Sequence, residues 1–415
     1  MSSSEPRSGV AAPAPRPRLG RTVIALSVVS LLTDLSSEII YPLLPLFLTS
    51  VLGASAATLG AIEGAAETTA ALLRLASGWW SDRVRRRKPL VLAGYALAAL
   101  ARPLIALATG AGQVLAVRLT DRVGKGIRGA PRDALIADAV SPALRGRAFG
   151  VHRAADHLGA VAGPLVAFAL LQGAGLPLRT VFLLAAVPGL AAVAVLWWGV
   201  RESPRADAAH RPPAAAAVAV PGLAGDGALG ATFWRYLGVL LLFTLGNASD
   251  AFLLLRAADL GVATALVPLL WALLHVVKSA SSALGGDLSD RLGRRPLIVA
   301  GWLVYAAVYL LFARASAAWH AWALFTVYGV YFGLTEGVEK ALVADLAPAG
   351  RRGTAFGWYN LAVGIGALPA SVIFGLVWDR AGPAAAFQLG AGLAFAAAVG
   401  FMLLVPARGR GNATA

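Results

Sequence analysis

Twelve apolar runs, each near the length of a bilayer span, follow one another along this chain with short polar breaks between them. They fall at 22–48, 56–80, 88–109, 113–139, 148–172 and 177–200, then at 233–256, 263–288, 296–314, 319–345, 355–378 and 384–405. A helix needs about 20 mostly apolar residues to cross the hydrocarbon of a bilayer. The pattern therefore predicts an all-α integral membrane protein with twelve transmembrane helices. Composition points the same way: 58% of the 415 residues are hydrophobic and only 14% are charged, where a soluble chain carries about a quarter charged.

The two sets of six runs repeat. "GWWSDRVRRRKPLVLAG" from Gly78 matches "GDLSDRLGRRPLIVAG" from Gly286, and "ALIADAVSPALRGRAFG" from Ala134 matches "ALVADLAPAGRRGTAFG" from Ala341, at offsets of 208 and 207 residues. A duplication in the same order predicts two pseudo-symmetric six-helix halves in parallel. Residues 21–200 and 233–405 form them. The stretch 201–232, rich in Ala and Pro and without helical periodicity, reads as a cytoplasmic linker. Residues 1–20 and 406–415 read as cytoplasmic tails, the first without the apolar segment of a signal peptide.

Net charge is +15. Its placement speaks for a membrane rather than for nucleic acid. With both termini on one side, 22 Lys and Arg fall on that side and four (Arg179, Arg256, Arg314, Arg380) on the other. Cytoplasmic loops carry such an excess, so both termini are expected in the cytoplasm and the protein in the plasma membrane. The chain has no Cys, and its five His residues show no ligand spacing. No metal and no cofactor is expected.

The pattern G-x-x-x-D-R-x-G-R-R after spans 2 and 8 resembles the major facilitator superfamily. The second copy, with Gly286, Asp290, Arg291 and Arg294, fits fully; the first, with Gly78, Asp82, Arg83 and Arg86, carries Arg85 in place of Gly. The resemblance implies a gate on the cytoplasmic side. Asp82 would meet the N-terminus of span 11 and Asp290 that of span 5, where free N–H groups favour an anion. Arg86 would pair with Asp138, and Arg294 with Asp345. Setting topology alone is the plainer role for these arginines.

Span 4 concentrates charge. Asp121, Arg122, Lys125, Arg128, Arg132, Asp133 and Asp138 crowd twenty residues. At helical spacing Arg118 and the first six of these fall within an arc of about 140°. A stripe of this kind faces protein or water, not lipid. It either neutralises carboxylates such as Glu63 and Glu67 in a structural network, or lines a path. Arg122-x-x-Lys125-Gly126-x-Arg128-Gly129-Ala130 resembles the family's span-4 pattern, whose Arg is implicated in proton transfer. Lys125 and Arg128 make this copy more cationic, which suits an anionic substrate or further internal bridges. Gly159-x-x-x-Gly163-Pro164 on span 5 resembles the signature of exporters, although small residues at this spacing are also common packing.

Other charges inside spans are candidates for a substrate or proton pathway: Asp34 and Glu38, which share a face of span 1, Asp250 on span 7, Lys278 on span 8, and Glu336 and Glu339 on span 10. The expected function is secondary transport of a small molecule by alternating access, as proton-coupled efflux driven by the proton gradient, by a monomer in a lipid bilayer. An uptake symporter for an organic anion and a non-transporting membrane sensor are the alternatives. No phosphate-binding G-x-x-x-x-G-K-[ST] loop occurs, and nothing suggests an enzyme.

Overall fold

The computed structural model describes residues 19–81, 86–140, 145–202, 229–348 and 352–406. Most of the expected tails and linker, together with Asp82 and Arg83, lie outside the described residues, as do the side chains of Asp290 and of a few other helical positions. Every regular element among the described residues is helical.

The first half comprises α1 (Arg21–Val51), α2 (Ala56–Ser81), α3 (Lys88–Leu107), α4 (Ala111–Asp138), α5 (Arg145–Phe168) and α6 (Leu178–Gly199). The second comprises α7 (Ala231–Asp259), α8 (Val267–Leu292), α9 (Arg294–Arg314) and α10 (Ala318–Leu346), then one long run, Arg352–Leu404. That run is two helices, because Gly382 sits at φ 85°, ψ 168°. Only glycine takes this backbone without steric cost, and Pro383 behind it is suited to open the next helix. Residues 352–381 are α11 and 383–404 are α12. Among the described residues, eight helical runs are long and apolar enough to cross a membrane, one of them holding both α11 and α12. The three others, α2, α4 and α10, carry charged residues toward the interior.

Within each half the helices approach closely at glycine. A Cβ on Gly94 would lie 2.6 Å from the carbonyl oxygen of Gly124, locking α3 to α4. Its counterpart 207 residues on, Gly301, brings α9 against Leu334 and Thr335 of α10 in the same way. Without a hydrophobic drive between helices in lipid, such contacts carry the association. The halves meet along α2–α11 and α5–α8.

Their interiors differ in kind. The second half is filled with aromatic rings: Phe243 stacks on Trp302 at 4.5 Å and Tyr305 on Tyr309 at 4.1 Å. The first half holds buried ion pairs, such as Arg102 with Asp121 and Arg118 with Glu63.

Two helices break. In α1 a 3-10 turn at Tyr41–Leu43, with Pro42 inside it, interrupts the α-helix. In α7 the helix stops at Gly246 and resumes at Ala251, where an uninterrupted span was expected over 233–256. The intervening Asn247, Ser249 and Asp250 are residues whose side chains compete with the helix for backbone hydrogen bonds. Backbone groups opened in this way must find partners inside the membrane. Tyr305 donates to the Gly246 carbonyl at 3.0 Å, and the Ser249 N–H reaches Ser371 Oγ at 3.2 Å.

Candidate substrate cavity

A cavity of about 430 Å³ opens between the halves, walled by α1 to α5 on one side and by α7, α8 and α10 on the other. Asp34, Glu38, Arg118, Asp121, Arg122, Lys125, Arg128, Asp250, Lys278 and Glu336 all line it. The helical spacing on α4 brings its charges to one wall, as the arc requires.

Half of these charges are held in ion pairs. Arg118 holds Glu63 with two parallel bonds of 3.0 and 2.7 Å. Arg102 of α3 donates to Asp121 at 2.7 Å and to the Thr33 carbonyl at 3.0 Å. Arg122 meets Glu67 at 3.0 Å, and Lys278 meets Glu336 at 3.2 Å. Each bonded pair removes two charges from play. The cationic stripe is thus largely an internal network, and α2 supplies its carboxylates. Lys125 has no carboxylate partner among the described residues. Arg128 has none either; it rests on the Tyr95 ring, 4.3 Å from the centroid.

Gly159 and Gly163 set the wall formed by α1. A Cβ on Gly159 would stand 3.0 Å from Asp34 Cβ, and one on Gly163 only 2.6 Å from Glu38 Cβ. The glycine pair therefore seats α5 on the very turns of α1 that carry these carboxylates, with Pro164 inside the helix just beyond. Both acids share a face and both enter the cavity. Glu38 accepts from Trp271 Nε1 at 2.7 Å across the boundary between the halves.

On the far wall the break in α7 puts Asp250 at the start of a new helical segment, where it accepts from Tyr328 Oη at 2.6 Å. Trp271, Tyr41 and Tyr328 are contributors that charge-based reading of the sequence misses. Aromatic residues in a span look like packing, and only the fold shows that Trp271 and Tyr328 reach a carboxylate and that Tyr41 lines the cavity. Glu339 corrects an expectation. It is buried between α9 and α11, bonded to Trp302 Nε1 at 2.9 Å and Tyr359 Oη at 3.0 Å, and it does not line the cavity. It lies three residues along α10 from Glu336, about 300° around the helix, and so turns into the bundle.

At the face that bears the termini, Arg294 lies 3.6 Å from Asp345. Asp138 is paired not with Arg86, which is exposed, but with Arg87 at 2.7 Å. The repeat explains the shift. Its offset changes from 208 to 207 inside this loop, so counting from Asp gives Arg86 while counting from the proline that opens the next helix gives Arg87. Both pairs lie within a half, α3 to α4 and α9 to α10. Gly78 and Gly286 sit on α2 and α8, and Arg291 is exposed at the end of α8. Glu202 accepts from the Arg87 and Lys88 N–H groups, both at 2.8 Å, and Lys88 Nζ donates to the Trp197 and Val200 carbonyls. The start of α3 and the end of α6 thus cap each other.

At the opposite face the halves are joined. Asp379, near the end of α11, accepts from the Ala56 and Ala57 N–H groups at 2.9 and 2.8 Å, capping the N-terminus of α2. Deeper along the same contact, Thr68 Oγ1 donates to the Gly364 carbonyl at 2.7 Å.

The family model of the Major Facilitator Superfamily matches residues 26–368 and 236–414. The chain belongs to this superfamily. An uncharacterized MFS-type transporter of Methanocaldococcus jannaschii is 32% identical over 382 residues, covering 91% of this chain and 93% of that one. A class B tetracycline resistance protein of Escherichia coli is 32% identical over 94 residues, 23% of either chain. Among solved structures, a bacterial homolog of the human lysosomal transporter Spinster, in an inward-facing and unoccupied conformation, superposes with a TM-score of 0.72 at 18% identity, covering 94% of this chain and 96% of that one. This is a multi-pass membrane transporter of small molecules, not an enzyme.

Proposed function

We propose that this superfamily member works as a proton-coupled exporter in the plasma membrane, with both termini in the cytoplasm. The observation that carries this reading is the seating of Asp34 and Glu38. Both carboxylates stand in the cavity at membrane depth, and neither has a cation partner among the described residues. Carboxyl groups so placed are the material of proton relays. Arg122 stands one turn from Lys125 on the facing wall, and its partner Glu67 is half exposed. Their bond can open to a solute or a proton without stranding a charge in apolar surroundings. The outward direction rests on the Gly159, Gly163 and Pro164 pattern and on the partial likeness to a tetracycline resistance protein. The excess of Lys and Arg on the terminal face supports its cytoplasmic placement. The cycle draws on the proton gradient, needs no bound cofactor, and runs in a monomer.

The test is a set of inside-out vesicles with an acidic lumen, a fluorescent pH reporter, and a panel of cations, anions, zwitterions and drugs. Antiport predicts that a transported compound enters the vesicles and dissipates the gradient. Asp34→Asn or Glu38→Gln should remove this coupling. Entry driven instead by an alkaline lumen would mean symport, and entry indifferent to the gradient would remove proton coupling from the mechanism.

A further inference from the structure

We infer that the solute carried by this cavity is zwitterionic, with an anionic group and an ammonium a few bonds apart. The inference rests on the transport reading above and names its substrate class.

Once the bonded pairs are set aside, the wall keeps Asp34, assigned above to proton coupling, and two further groups of unpaired charges. One is cationic: Lys125 and Arg128, about one turn apart on α4. Arg128 is only 5% exposed, and its Nη1 is buried without a hydrogen-bond partner among the described residues. Buried donors are nearly always satisfied, so an orphaned guanidinium N–H on a cavity wall marks a place for an acceptor. A planar guanidinium beside an ammonium is suited to a carboxylate or other oxyanion. The second group is acidic, with an aromatic donor beside each member: Glu38 on α1 and Asp250 on α7. Glu38 and Asp250 are held only by neutral donors, Trp271 at 2.7 Å and Tyr328 at 2.6 Å. An indole next to a carboxylate is a good seat for an ammonium.

A simple anion would satisfy α4 and leave the acids bare. A simple cation would do the reverse. A dipolar solute neutralises both, and the available volume fits a small molecule. The cations belong to the first half, while Asp250 and Trp271 belong to the second. A bridging solute therefore interacts differently when the halves move relative to each other, and only such a difference lets binding bias a conformational equilibrium.

The experiment measures equilibrium binding by thermal stabilisation of the purified full-length protein in detergent. The probes are 4-aminobutanoate, 6-aminohexanoate and alanyl-alanine, each beside its N-acetylated and its C-amidated form. At least one zwitterion is expected to stabilise at concentrations about tenfold below both of its blocked forms. Lys125→Gln should erase the preference over the amide, and Lys125→Arg should keep it. Asp250→Asn should erase the preference over the acetylated form. Equal binding of an acetylated probe would make this an anion site, equal binding of an amide a cation site, and no zwitterion preferred would overturn the class. Detergent binding needs no proton gradient, so failure here leaves the proton-coupling test standing, and the reverse.

Discussion

Two arginines on the same network separate structure from mechanism. Arg102 and Asp121 are both about 5% exposed. Removing Arg102 leaves Asp121 with only the longer contact to Arg118 at 4.0 Å, and breaking such a buried pair costs about 3 kcal/mol. Arg122 is equally buried, but its partner Glu67 is 50% exposed toward the cavity and can hydrate when left alone. Arg102→Ala is therefore expected to lower the thermal unfolding midpoint in detergent sharply. Arg122→Ala should cost nearer 1 kcal/mol, as for exposed pairs, while losing proton-driven flux in liposomes. Arg122→Lys should restore only part of that flux, since a point charge does not reproduce the guanidinium fork. An Arg122→Ala protein as unstable as Arg102→Ala would make Arg122 a structural residue. The sequence placed most of these charges on the correct wall, because spacing along one helix fixes which side chains share a face. It could not tell bonded from unbonded charges, since Arg102 and Glu63 reach α4 from other helices. Glu339 shows the limit from the other side. Its two donors lie 37 and 20 residues away, beyond any local pattern.

At the scale of elements, function depends on how tightly helices can touch. Gly163→Val would drive branched carbons into Glu38 Cβ and the Leu35 carbonyl, 2.6 and 2.9 Å from where even a Cβ would stand. Since both neighbours belong to α1, α5 must move away, and overpacking of this kind costs about 1–3 kcal/mol or more. The expected result is a less stable protein with impaired proton coupling, measured by unfolding midpoint and gradient dissipation; unaltered coupling would detach the glycine pair from the α1 acids. Asp379 offers a second test. It caps α2 from the other half through two charge-assisted bonds, and Asp379→Ala should weaken closure of that face by roughly 1.5–3 kcal/mol. The chain has no Cys, so a single cysteine at Ala56, which is buried beside Asp379 in the closed face, reports the opening. Faster maleimide labelling in Asp379→Ala is expected, and an unchanged rate would show that the cap does not hold the face shut. The span pattern gave α5 and α11 readily, through their length and hydropathy. It passed over the break in α7, although Gly246-Asn247-Ala248-Ser249-Asp250 is rich in residues that leave a helix. An apolar count over a window averages such a short interruption away.

At the scale of the whole molecule, the duplication was the most readable property, because it repeats both motif and spacing. Gly94 and Gly301, or Arg87 and Arg294, do the same work 207 residues apart. What the duplication hides is the divergence of the interiors, charged in one half and aromatic in the other. Each half nevertheless closes on itself. Lys88 and Glu202 tie α3 to the end of α6, and in the second half Arg295 donates to the Met402 carbonyl at the equivalent place on α12. The chain between the halves, 206–228, lies outside the described residues, and its Ala- and Pro-rich composition offers no apolar periodicity from which to build a core. The contact between halves runs instead along α2–α11 and α5–α8, through bonds such as Asp379 to Ala56 and Thr68 to Gly364. A protein made as two chains, cut within 206–228 and beyond Glu202, should therefore assemble. The co-expressed halves are expected to purify together through a tag on one of them, and to keep most gradient-driven flux. Linking them raises effective concentration, so the loss is expected to be confined to yield. Glu202→Gln in the split protein should weaken the joint of α3 with α6 and lower the stability of the first half alone. Halves that insert but fail to co-purify would show that the linker itself holds the molecule together.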